Sequence, residues 1–268
     1  MNKLVCLIPH YNNPDGLAKS LASIGKDEIC DILVVDDGSV KKPLDEAAAR
    51  AAFSAQGTIH FLRLPQNQGI EHALNAGLAW IDEHGYELVA RLDCGDENLP
   101  DRFAKQTAYL AAHPDVALLG GAASFVDQQG VEQFVLHHPT HVRAIWWALK
   151  SNSAFIHPTV MFYMAAIETT GTYPLDIPAA EDYGLFWEFA KVFPVANLPD
   201  VLIRYELDPG GISLSKRKKQ LKSRLKLQWR NRDRTYAAWF GMLRTLLLLV
   251  MPYTLVFKIK SWLRGGRT

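Results

Sequence analysis

The sequence predicts an α/β protein whose central sheet is mostly parallel and has helices on both faces. Apolar runs of strand length alternate with segments of helical periodicity through the first 115 residues, and four such units follow one another. The runs end at a proline, at acidic residues or at a Gly-Ser turn. Regular alternation of strand and helix is typical of a parallel sheet, because each helix crosses over between neighbouring strands.

The predicted elements follow in chain order. The run KLVCLIP ends at Pro9 and indicates a buried strand, whereas apolar residues recur at helical spacing from Ile70 to Ile81. Strands are expected over 3–9, 31–37, 58–64 and 87–93, and helices over 14–25, 43–54, 70–84 and 101–113. Beyond 115 we expect a strand, a turn at Asp127–Gly130, a partner strand, helices near 139–150 and 180–193, and a strand over 195–207.

The composition is that of an ordinary globular protein. Of 268 residues, 21% are charged and 49% hydrophobic, which excludes a disordered chain. Three scattered cysteines, Cys6, Cys30 and Cys94, exclude a disulfide framework and a zinc cluster. The N-terminus has no apolar stretch long enough for a signal peptide. These observations predict a cytoplasmic protein.

The charge is divided unevenly along the chain. Residues 1–215 hold 14 basic and 27 acidic residues, whereas residues 216–268 hold 15 basic residues and a single acid, Asp233. The first part is therefore strongly negative and the tail strongly positive, although the whole chain has a net charge of only +1. This division predicts two units and an anionic partner for the second.

Polar residues follow every predicted strand of the first part. Ligands of an open parallel sheet bind at the carboxyl ends of its strands, so these residues are expected to meet in one crevice. Helix capping is the alternative explanation for any single acid among them. The polar positions are Tyr11 and Asn12, Asp36 and Asp37, Asn67 to Gly69, and Asp93 and Asp96.

These residue types suit a nucleoside diphosphate. Tyr11 could stack on a base, and Asp37 could accept the imide N–H of a uracil. Asp93 and Asp96 could hold a divalent cation against the two phosphates, since hard cations prefer oxygen ligands. Neither type of Gly-rich phosphate loop is present in the sequence, which argues against a dinucleotide dehydrogenase and a P-loop enzyme.

The motifs together resemble the family 2 glycosyltransferases. The segments IPHYNN, VVDDGS, LPQNQGIEHALNAGL, ARLDCGDENLPDRFAKQ, NSAFIHPTVMF and AAEDYGLFWEF occur in that family's order and spacing over about residues 3–213. The resemblance implies a Rossmann-like GT-A fold and inverting transfer of a sugar from a nucleotide donor, usually UDP- or another NDP-linked. It divides the catalytic domain, 1–215, into a nucleotide-binding half, 1–115, and an acceptor-binding half, 116–215.

The resemblance also implies roles for individual residues. Asp182 matches the general base, which takes the proton of the acceptor hydroxyl, and Glu181 its partner or an acceptor ligand. Both acids would also suit a helix N-terminus. The nucleotide-binding positions are Pro9, Tyr11, Asn12, Asp36, Asp37, Asn67, Gly69 and Asp93. His157 and Trp187 are candidates for contact with donor or acceptor sugar, with burial in the core as the alternative.

The cation site departs from the family pattern. The family's metal-binding D-x-D has its second acid at the position of Gly95, so Asp93 and Asp96 remain. Asp208 stands where the family commonly has a histidine near the diphosphate or metal. We therefore expect Asp93, Asp96 and Asp208 to bind Mn²⁺ or Mg²⁺, with Asp208 replacing the oxygen ligand lost at Gly95.

The tail resembles a membrane-surface segment. Residues 216–234 contain ten basic groups interleaved with Leu221, Leu225 and Leu227. The longest charge-free run, Thr245–Phe257, has thirteen residues and is too short to span a bilayer. A helix in the interface of an anionic membrane is expected. Packing on the catalytic domain or on a second subunit, as in a homodimer, is the alternative; no motif for nucleic-acid binding is recognisable.

The overall expectation is an inverting, metal-assisted glycosyltransferase at the inner face of the cytoplasmic membrane. It would add one sugar to a hydroxyl of a lipid-linked glycan or lipopolysaccharide-type acceptor, because no Q-x-x-R-W motif of processive enzymes follows Asp182. A sugar nucleotidyltransferase is an alternative, although the segment PHYNNPDG lacks the basic phosphate loop it would need. A catalytically inactive sugar-nucleotide-binding protein is another, because of Gly95.

Overall fold

A nine-stranded sheet forms the centre of the computed structural model, which describes residues 3–207 and 217–251. The strand order is β3-β2-β1-β4-β8-β6-β9-β5, and β7 pairs with β6 outside this path. The strands are β1 Leu4–His10, β2 Asp31–Asp36, β3 Ile59–Arg63, β4 Leu88–Arg91, β5 Glu97–Asn98, β6 Leu118–Val126, β7 Glu132–Leu136, β8 Met161–Tyr163 and β9 Val195–Glu206.

Helices connect these strands. The α-helices are α1 Pro14–Ser23, α2 Glu46–Ala52, α3 Ile70–Glu83, α4 Arg102–Ala112, α5 Val142–Leu149, α6 Ile167–Thr170, α7 Glu181–Val192, α8 Arg217–Arg230 and α9 Tyr236–Val250. Short 3₁₀ turns lie at His157–Thr159 and Met164–Ala166. The longer elements begin and end within a few residues of their predicted bounds, whereas β5 and β8 were not predicted because two or three residues show no periodicity.

The first four long strands are parallel, as predicted. β1 lies between β2 and β4, and Leu7 pairs with Leu33 on one side and with Arg91 on the other. β8 then runs antiparallel to both β4 and β6, and β9 runs parallel to β6. The sheet is therefore mixed, because strands from residues 118–206 run in both directions. Strands from before and after residue 115 lie in the same sheet.

Helices cover both faces of the sheet, because successive strand residues point to opposite sides. In β1, Val5 and Leu7 join one hydrophobic cluster, and Cys6 and Ile8 join the other. The first cluster contains residues of α3, α5 and α7, and the second contains residues of α1, α2 and α4. This packing confirms the predicted layers.

The two tail helices, α8 and α9, pack on the catalytic part. Leu227 is buried in the same cluster as the apolar side chains of α7. Gln228 donates from Nε2 to the carbonyl oxygens of Lys150 and Ser151, at 3.4 and 3.1 Å. At Gly241 a Cβ atom would lie 2.2 Å from the carbonyl oxygen of Lys150, so only glycine permits this approach of α9.

The tail packing agrees with one of the alternatives drawn from the sequence, association with the catalytic domain. Within 3–207 and 217–251, no helix has the length and apolar character needed to cross a membrane. Residues 252–268, which include the last six residues of the charge-free run, lie outside the described part of the chain, as does the predicted boundary at 215.

Candidate active site

The carboxyl ends of β1, β2 and β4 bring the predicted polar residues to one edge of the sheet. His10 and Asp36 are paired at the ends of β1 and β2, and Arg91 ends β4 on the other side of β1. The loop after β1 and the turn after β4 therefore flank a common crevice. Tyr11 lies in this loop with half of its surface exposed, available for stacking on a planar ring.

Asp36 holds the loops of this edge together. Its Oδ1 accepts hydrogen bonds from the hydroxyl of Ser39 and, at 2.9 Å, contacts Nδ1 of His10. Asp36 and His10 are both buried. The carboxylate of Asp36 is thus committed to neighbouring protein groups, and any effect on a nucleotide would pass through the loop that it positions.

Asn12 connects the loop after β1 to the loop after β2. Its Oδ1 accepts hydrogen bonds from the backbone N–H groups of Lys41 and Lys42, at 2.9 and 3.0 Å. Its own N–H donates to Oγ of Ser39 at 2.7 Å. Pro9 precedes this loop within β1 and pairs with Val35 of β2. These contacts orient the segment from which the Tyr11 ring projects.

Asp37 anchors the loop before α3. Its Oδ1 accepts the N–H of Gln68 at 2.8 Å, and its Oδ2 accepts from the Asn67 side chain and the N–H of Gly69, both at 2.9 Å. Burial raises the pKa of the Asp37 carboxyl, although the two backbone N–H groups oppose this. Among the described residues, Oδ1 accepts a hydrogen bond from Gln68 alone, and a carboxylate oxygen can accept a second.

A glycine next to Asp37 permits the close approach of this loop. Gly38 has a φ of +66°, and a Cβ atom on it would lie 2.4 Å from the carbonyl carbon of Gln66. Gly69 is in a similar backbone region, with a φ of +104°, where it begins α3. Side chains at these positions would strain the loop that surrounds the Asp37 carboxylate.

Asp93 is held by a buried arginine. Nη2 of Arg91 lies 2.7 Å from Oδ1 of Asp93, and the Arg91 side chain is fully buried whereas that of Asp93 is 30% exposed. Arg91 also donates to the carbonyl oxygens of Leu7 and Leu92, and from Nε to Nε2 of His157 at 3.4 Å. The arginine fixes one carboxylate oxygen of Asp93 and leaves the other for a ligand.

The sequence carries a signal for this buried arginine. Arg91 interrupts the apolar run of β4, and a charged residue on a fully buried strand needs partners. Only the fold shows that its partner is Asp93, two residues further along.

Asp96 lies in the turn after β4, and its side chain is buried. Its Oδ1 accepts the N–H of Glu206 at 3.1 Å, and its Oδ2 is buried without a hydrogen-bond partner among the described residues. Burial, and then the charge of Asp93, raise the pKa of the Asp96 carboxyl well above its usual range. Ser20 ties this turn to α1 by accepting the N–H of Gly95 and donating to the Asp96 carbonyl.

Gly95 is explained by backbone conformation rather than by space. Its φ is +110°, a region that residues with side chains rarely adopt, whereas the nearest atom to a Cβ would be 3.9 Å away. An acid at this position, as in the D-x-D pattern, would fit the available volume but strain the turn. The backbone conformation of this turn therefore favours glycine at position 95.

The donors at the turn fit a cation in part. Two neighbouring carboxyls, one with a buried unpartnered oxygen, form a concentration of negative charge that a cation or a proton would neutralise. In the described ranges no group of three histidine, cysteine or acidic residues could hold a metal ion. The third expected ligand, Asp208, lies outside those ranges, but Glu206, two positions earlier, contacts Asp96.

Glu181 and Asp182 open α7 as a coupled pair. Glu181 is 7% exposed, and its Oε2 has no hydrogen-bond partner in the described part of the chain. Burial and the charge of Asp182 raise the pKa of Glu181 to about 8. Burial also raises the pKa of Asp182, but the N–H of Tyr183, 2.7 Å from its Oδ1, and the charge of Arg224 oppose this.

This difference separates the roles that the two carboxyls can have. The charge of Asp182 helps to raise the pKa of Glu181 to about 8, so Glu181 is the carboxyl of the pair that holds its proton more strongly. Two neighbouring carboxyls whose environments push their pKa values apart are a common arrangement for acid–base catalysis. Asp182 is the carboxyl of the pair that would act as the base in such an arrangement.

Arg224 was not recognised from the sequence, where it is one of ten basic residues in the tail. It lies on α8, partly buried, and close enough to Asp182 and Tyr183 to favour their ionised forms. The signal available in the sequence was its place on the apolar face of α8, between Leu221 and Leu227.

The two candidates for sugar contact are in the core. Trp187 is 1% exposed and packs edge-on against Trp146, with ring centroids 5.1 Å apart, so this packing speaks against a sugar-stacking role. His157 is also buried, and its Nε2 lies 2.9 Å from the hydroxyl of Tyr173. Burial, reinforced by the charge of Arg91, lowers the pKa of His157 well below its usual range, so the ring is neutral.

Comparison with known proteins decides the family. The model of glycosyl transferase family 2 matches residues 5–167, more than half of the chain. The amylovoran biosynthesis glycosyltransferase AmsE of Erwinia amylovora is 31% identical over 260 residues, which cover 95% of this chain and 94% of that protein. The chain belongs to glycosyl transferase family 2. It is therefore a glycosyltransferase, as predicted. The family match favours this class over the alternative of a sugar nucleotidyltransferase.

Solved structures show the same fold. S. aureus TarS 1-349 in complex with UDP-GlcNAc has a TM-score of 0.66 at 17% identity, over 91% of this chain and 71% of that one. The mannosyltransferase PcManGT from Pyrobaculum calidifontis, in complex with GDP-Man and Mn²⁺, has a TM-score of 0.62 at 17% identity, over 92% and 70%. These likenesses confirm that the glycosyltransferase has the predicted GT-A fold.

Proposed function

We propose that this glycosyltransferase transfers one sugar, with inversion, from a UDP-sugar to an acceptor hydroxyl, using Asp182 as the general base. The observation that supports this most is the pair of neighbouring carboxyls at the start of α7, in which burial and the charge of Asp182 raise the pKa of Glu181 to about 8. A single ionised carboxylate of this kind is what an inverting transfer requires, because one base removes the acceptor proton during attack.

The strand ends supply the nucleotide site. The exposed ring of Tyr11 can stack on the base, and the remaining acceptor capacity of Asp37 can take the imide N–H of uracil. Asn12, Asp36, Asn67 and Gly69 would act by holding the two loops around this pocket. Support for a UDP donor comes from the UDP-GlcNAc complex of the TarS fold relative.

The reaction is a displacement at the anomeric carbon. The acceptor oxygen forms a bond to that carbon while its proton passes to a carboxylate oxygen of Asp182, and the bond to the diphosphate oxygen breaks. The electron pair leaves with the nucleoside diphosphate. Glu181, protonated beside Asp182, limits the negative charge there without competing for the acceptor proton.

A divalent cation is part of this proposal. Asp93 would hold it through the oxygen not bound to Arg91, with Asp96 and Asp208 as the further expected ligands. When bound, such an ion neutralises the charge that develops on the departing diphosphate. The Mn²⁺ complex of PcManGT supports the choice of ion class.

The test is sugar transfer by Asp182→Asn. We expect the variant to bind UDP normally and to lose on the order of 10²–10⁴-fold in turnover, the range typical of general-base catalysis. Asp200→Asn, which alters an exposed carboxylate paired with Lys105, is the matched control and should keep full turnover. Turnover close to that of the unaltered protein in Asp182→Asn would refute the assignment.

We also propose that the acceptor is a lipid-linked glycan reached at the inner face of the cytoplasmic membrane. The tail helices leave an open groove of about 730 Å³ on their outer side, and the lysines beside it suit anionic headgroups. The printed name of AmsE supports a role in polysaccharide synthesis. The groove is lined by Lys222, Leu225, Lys226, Trp229, Trp239, Met242, Leu243 and Leu246.

Vesicle flotation tests the membrane part separately. The full chain should float with vesicles containing phosphatidylglycerol and not with pure phosphatidylcholine, and high salt should release it. The double variant Lys218→Glu/Lys222→Glu should stay in solution, whereas Lys26→Glu/Lys41→Glu, which alters exposed lysines outside the tail, should still float. Equal flotation of both double variants would contradict attachment through the tail.

A further inference from the structure

The helix α8 is fixed on the catalytic domain from several sides. Oγ of Ser223 donates to the carbonyl of Pro178 at 2.8 Å, Leu227 is buried beside α7, and Gln228 donates to the segment after α5. Because Pro178 lies four residues before Asp182, these contacts seat α8 against the start of α7. Arg224, between Ser223 and Leu227, therefore faces the catalytic carboxyl pair.

Three other basic residues, in the tail or packed against it, have carboxylate partners. Lys226 and Arg230 both reach Oδ2 of Asp176, at 2.8 and 2.6 Å, and Lys150 pairs with Asp233. For Arg224, by contrast, no hydrogen bond or ion pair to a described residue is formed, although burial lowers the pKa of its guanidinium. A partly buried arginine without an acceptor is costly to leave unbound.

A second guanidinium lies close to this one. Arg217 donates to the carbonyl of Leu248 at 2.8 Å, which fixes the register of the antiparallel pair formed by α8 and α9. Arg224 follows Arg217 by seven residues and Arg244 precedes Leu248 by four, so their backbones differ by only about 5 Å along the pair. The charge of Arg244 also lowers the pKa of Arg224. Arg244 likewise forms no ion pair within the described ranges.

We propose that Arg224 and Arg244 bind a phosphate group of the acceptor, next to Asp182. Two guanidiniums at nearly the same level of the helix pair, with no ion pair to a described residue, match a phosphate or diphosphate ester, which can accept paired hydrogen bonds from each. A sugar attached to that phosphate would then place a ring hydroxyl towards the Asp182 carboxylate. The inference rests on the proposed function and narrows its acceptor to a phosphate-linked glycan.

The tail has a catalytic consequence in this arrangement. Acceptors without a phosphate would lack the contact that holds their hydroxyl near Asp182. The enzyme would therefore select phosphate-bearing acceptors over uncharged ones. The phosphate could belong to a lipid diphosphate or to a free phosphate ester. Farnesyl diphosphate and inorganic pyrophosphate distinguish these two sources.

The test measures binding to the full chain saturated with UDP, so that the donor site is closed to the probe. Farnesyl diphosphate and inorganic pyrophosphate are titrated by calorimetry into the unaltered protein and into Arg224→Gln and Arg244→Gln. Lys219→Gln removes one exposed charge from the same helix and serves as the control. Thermal unfolding shows whether each variant is folded, and Arg224→Lys provides a milder change.

We expect each arginine-to-glutamine variant to weaken farnesyl diphosphate binding at least tenfold, with Lys219→Gln within twofold of the unaltered protein. Arg224→Lys should fall between, because lysine keeps the charge but not the paired donors. Equal losses for pyrophosphate would identify the phosphates as the recognised group, and binding of the prenyl compound alone would identify a lipid diphosphate as the source.

The inference fails if the arginine variants bind the prenyl diphosphate normally, if Lys219→Gln weakens binding as much as they do, or if the UDP-saturated protein binds neither probe. Such a failure leaves the assignment of Asp182 intact, because that assignment depends on turnover and not on these affinities.

Discussion

The fully buried guanidinium of Arg91 lies 2.7 Å from the partly exposed carboxylate of Asp93. Three more hydrogen bonds, to Leu7, Leu92 and His157, hold the guanidinium below the crevice. A ligand at Asp93 would therefore meet a carboxylate that has one oxygen already bound to Arg91 and is oriented by it.

Replacing Arg91 by methionine should destabilise the protein by about 3–5 kcal/mol, because buried carbonyl acceptors and a carboxylate lose their partner. Urea unfolding measures this change. UDP affinity in the presence of Mn²⁺ should also fall. Arg63→Gln breaks an exposed ion pair with Glu46 and should cost less than about 1 kcal/mol. Similar unfolding midpoints for the two variants would show that the buried pair contributes little.

Asp37→Ala removes the acceptor for three hydrogen bonds from the loop before α3. Because these bonds end on a carboxylate, the loss should cost at least about 1.5–3 kcal/mol, and the loop should no longer hold the nucleotide pocket. Calorimetric titration of UDP should show at least tenfold weaker binding. Asp45→Ala, which removes only the cap of α2, should lower stability by about 1 kcal/mol and leave UDP binding unchanged.

Gly95→Asp restores the acid of the D-x-D pattern but should destabilise the fold by about 1–3 kcal/mol, since the backbone φ at this position is +110°. Chemical denaturation is the measurement. Gly25→Asp is the control, because that position has neither a positive φ nor any atom within 4 Å of a Cβ. A variant at position 95 as stable as the control would mean that the turn adapts and that glycine is not conformationally required.

Glu181→Gln should remove part of the pH dependence of stability. The folded-state pKa of Glu181 is about 8, above its unfolded value, so the folded protein binds the extra proton between about pH 4.5 and 8. The stability contribution of this group is therefore complete at acid pH and declines as the pH rises to 8, by at most about 1.4 kcal/mol per unit.

Thermal unfolding between pH 5 and 8 tests the sign. The unaltered protein should lose more stability over this range than Glu181→Gln does. Glu188→Gln alters an exposed glutamate of the same helix that pairs with Lys191, and it should keep the dependence of the unaltered protein. Identical pH profiles for all three proteins would show that Glu181 does not retain a proton.

Much of the catalytic edge could be predicted from local sequence. The apolar runs defined β1, β2 and β4, and the residues following them do lie side by side, because neighbouring parallel strands end at the same edge. The roles of individual acids were less accessible. Asp36 and Asp37 are adjacent in sequence, yet one holds His10 and Ser39 and the other holds the loop before α3.

Predictions for aromatic residues in helices were weaker. Trp187 has the residue type of a sugar platform, but α7 turns it into the core against Trp146. Helical periodicity indicates which residues share a face, whereas the partner of that face is set by how distant elements pack.

By itself the sequence determined the alternation of strands and helices, the crevice at the strand ends, the family and the change of charge at the tail. These are properties of neighbouring residues and of their spacing. The tertiary structure alone decided that burial and the charge of Asp182 raise the pKa of Glu181, that Gly95 has a positive φ, and that the tail places Arg224 near Asp182. These properties depend on the burial, backbone conformation and charges that arise when segments far apart in the chain pack together. The order of residues in the sequence does not specify the distances between such segments.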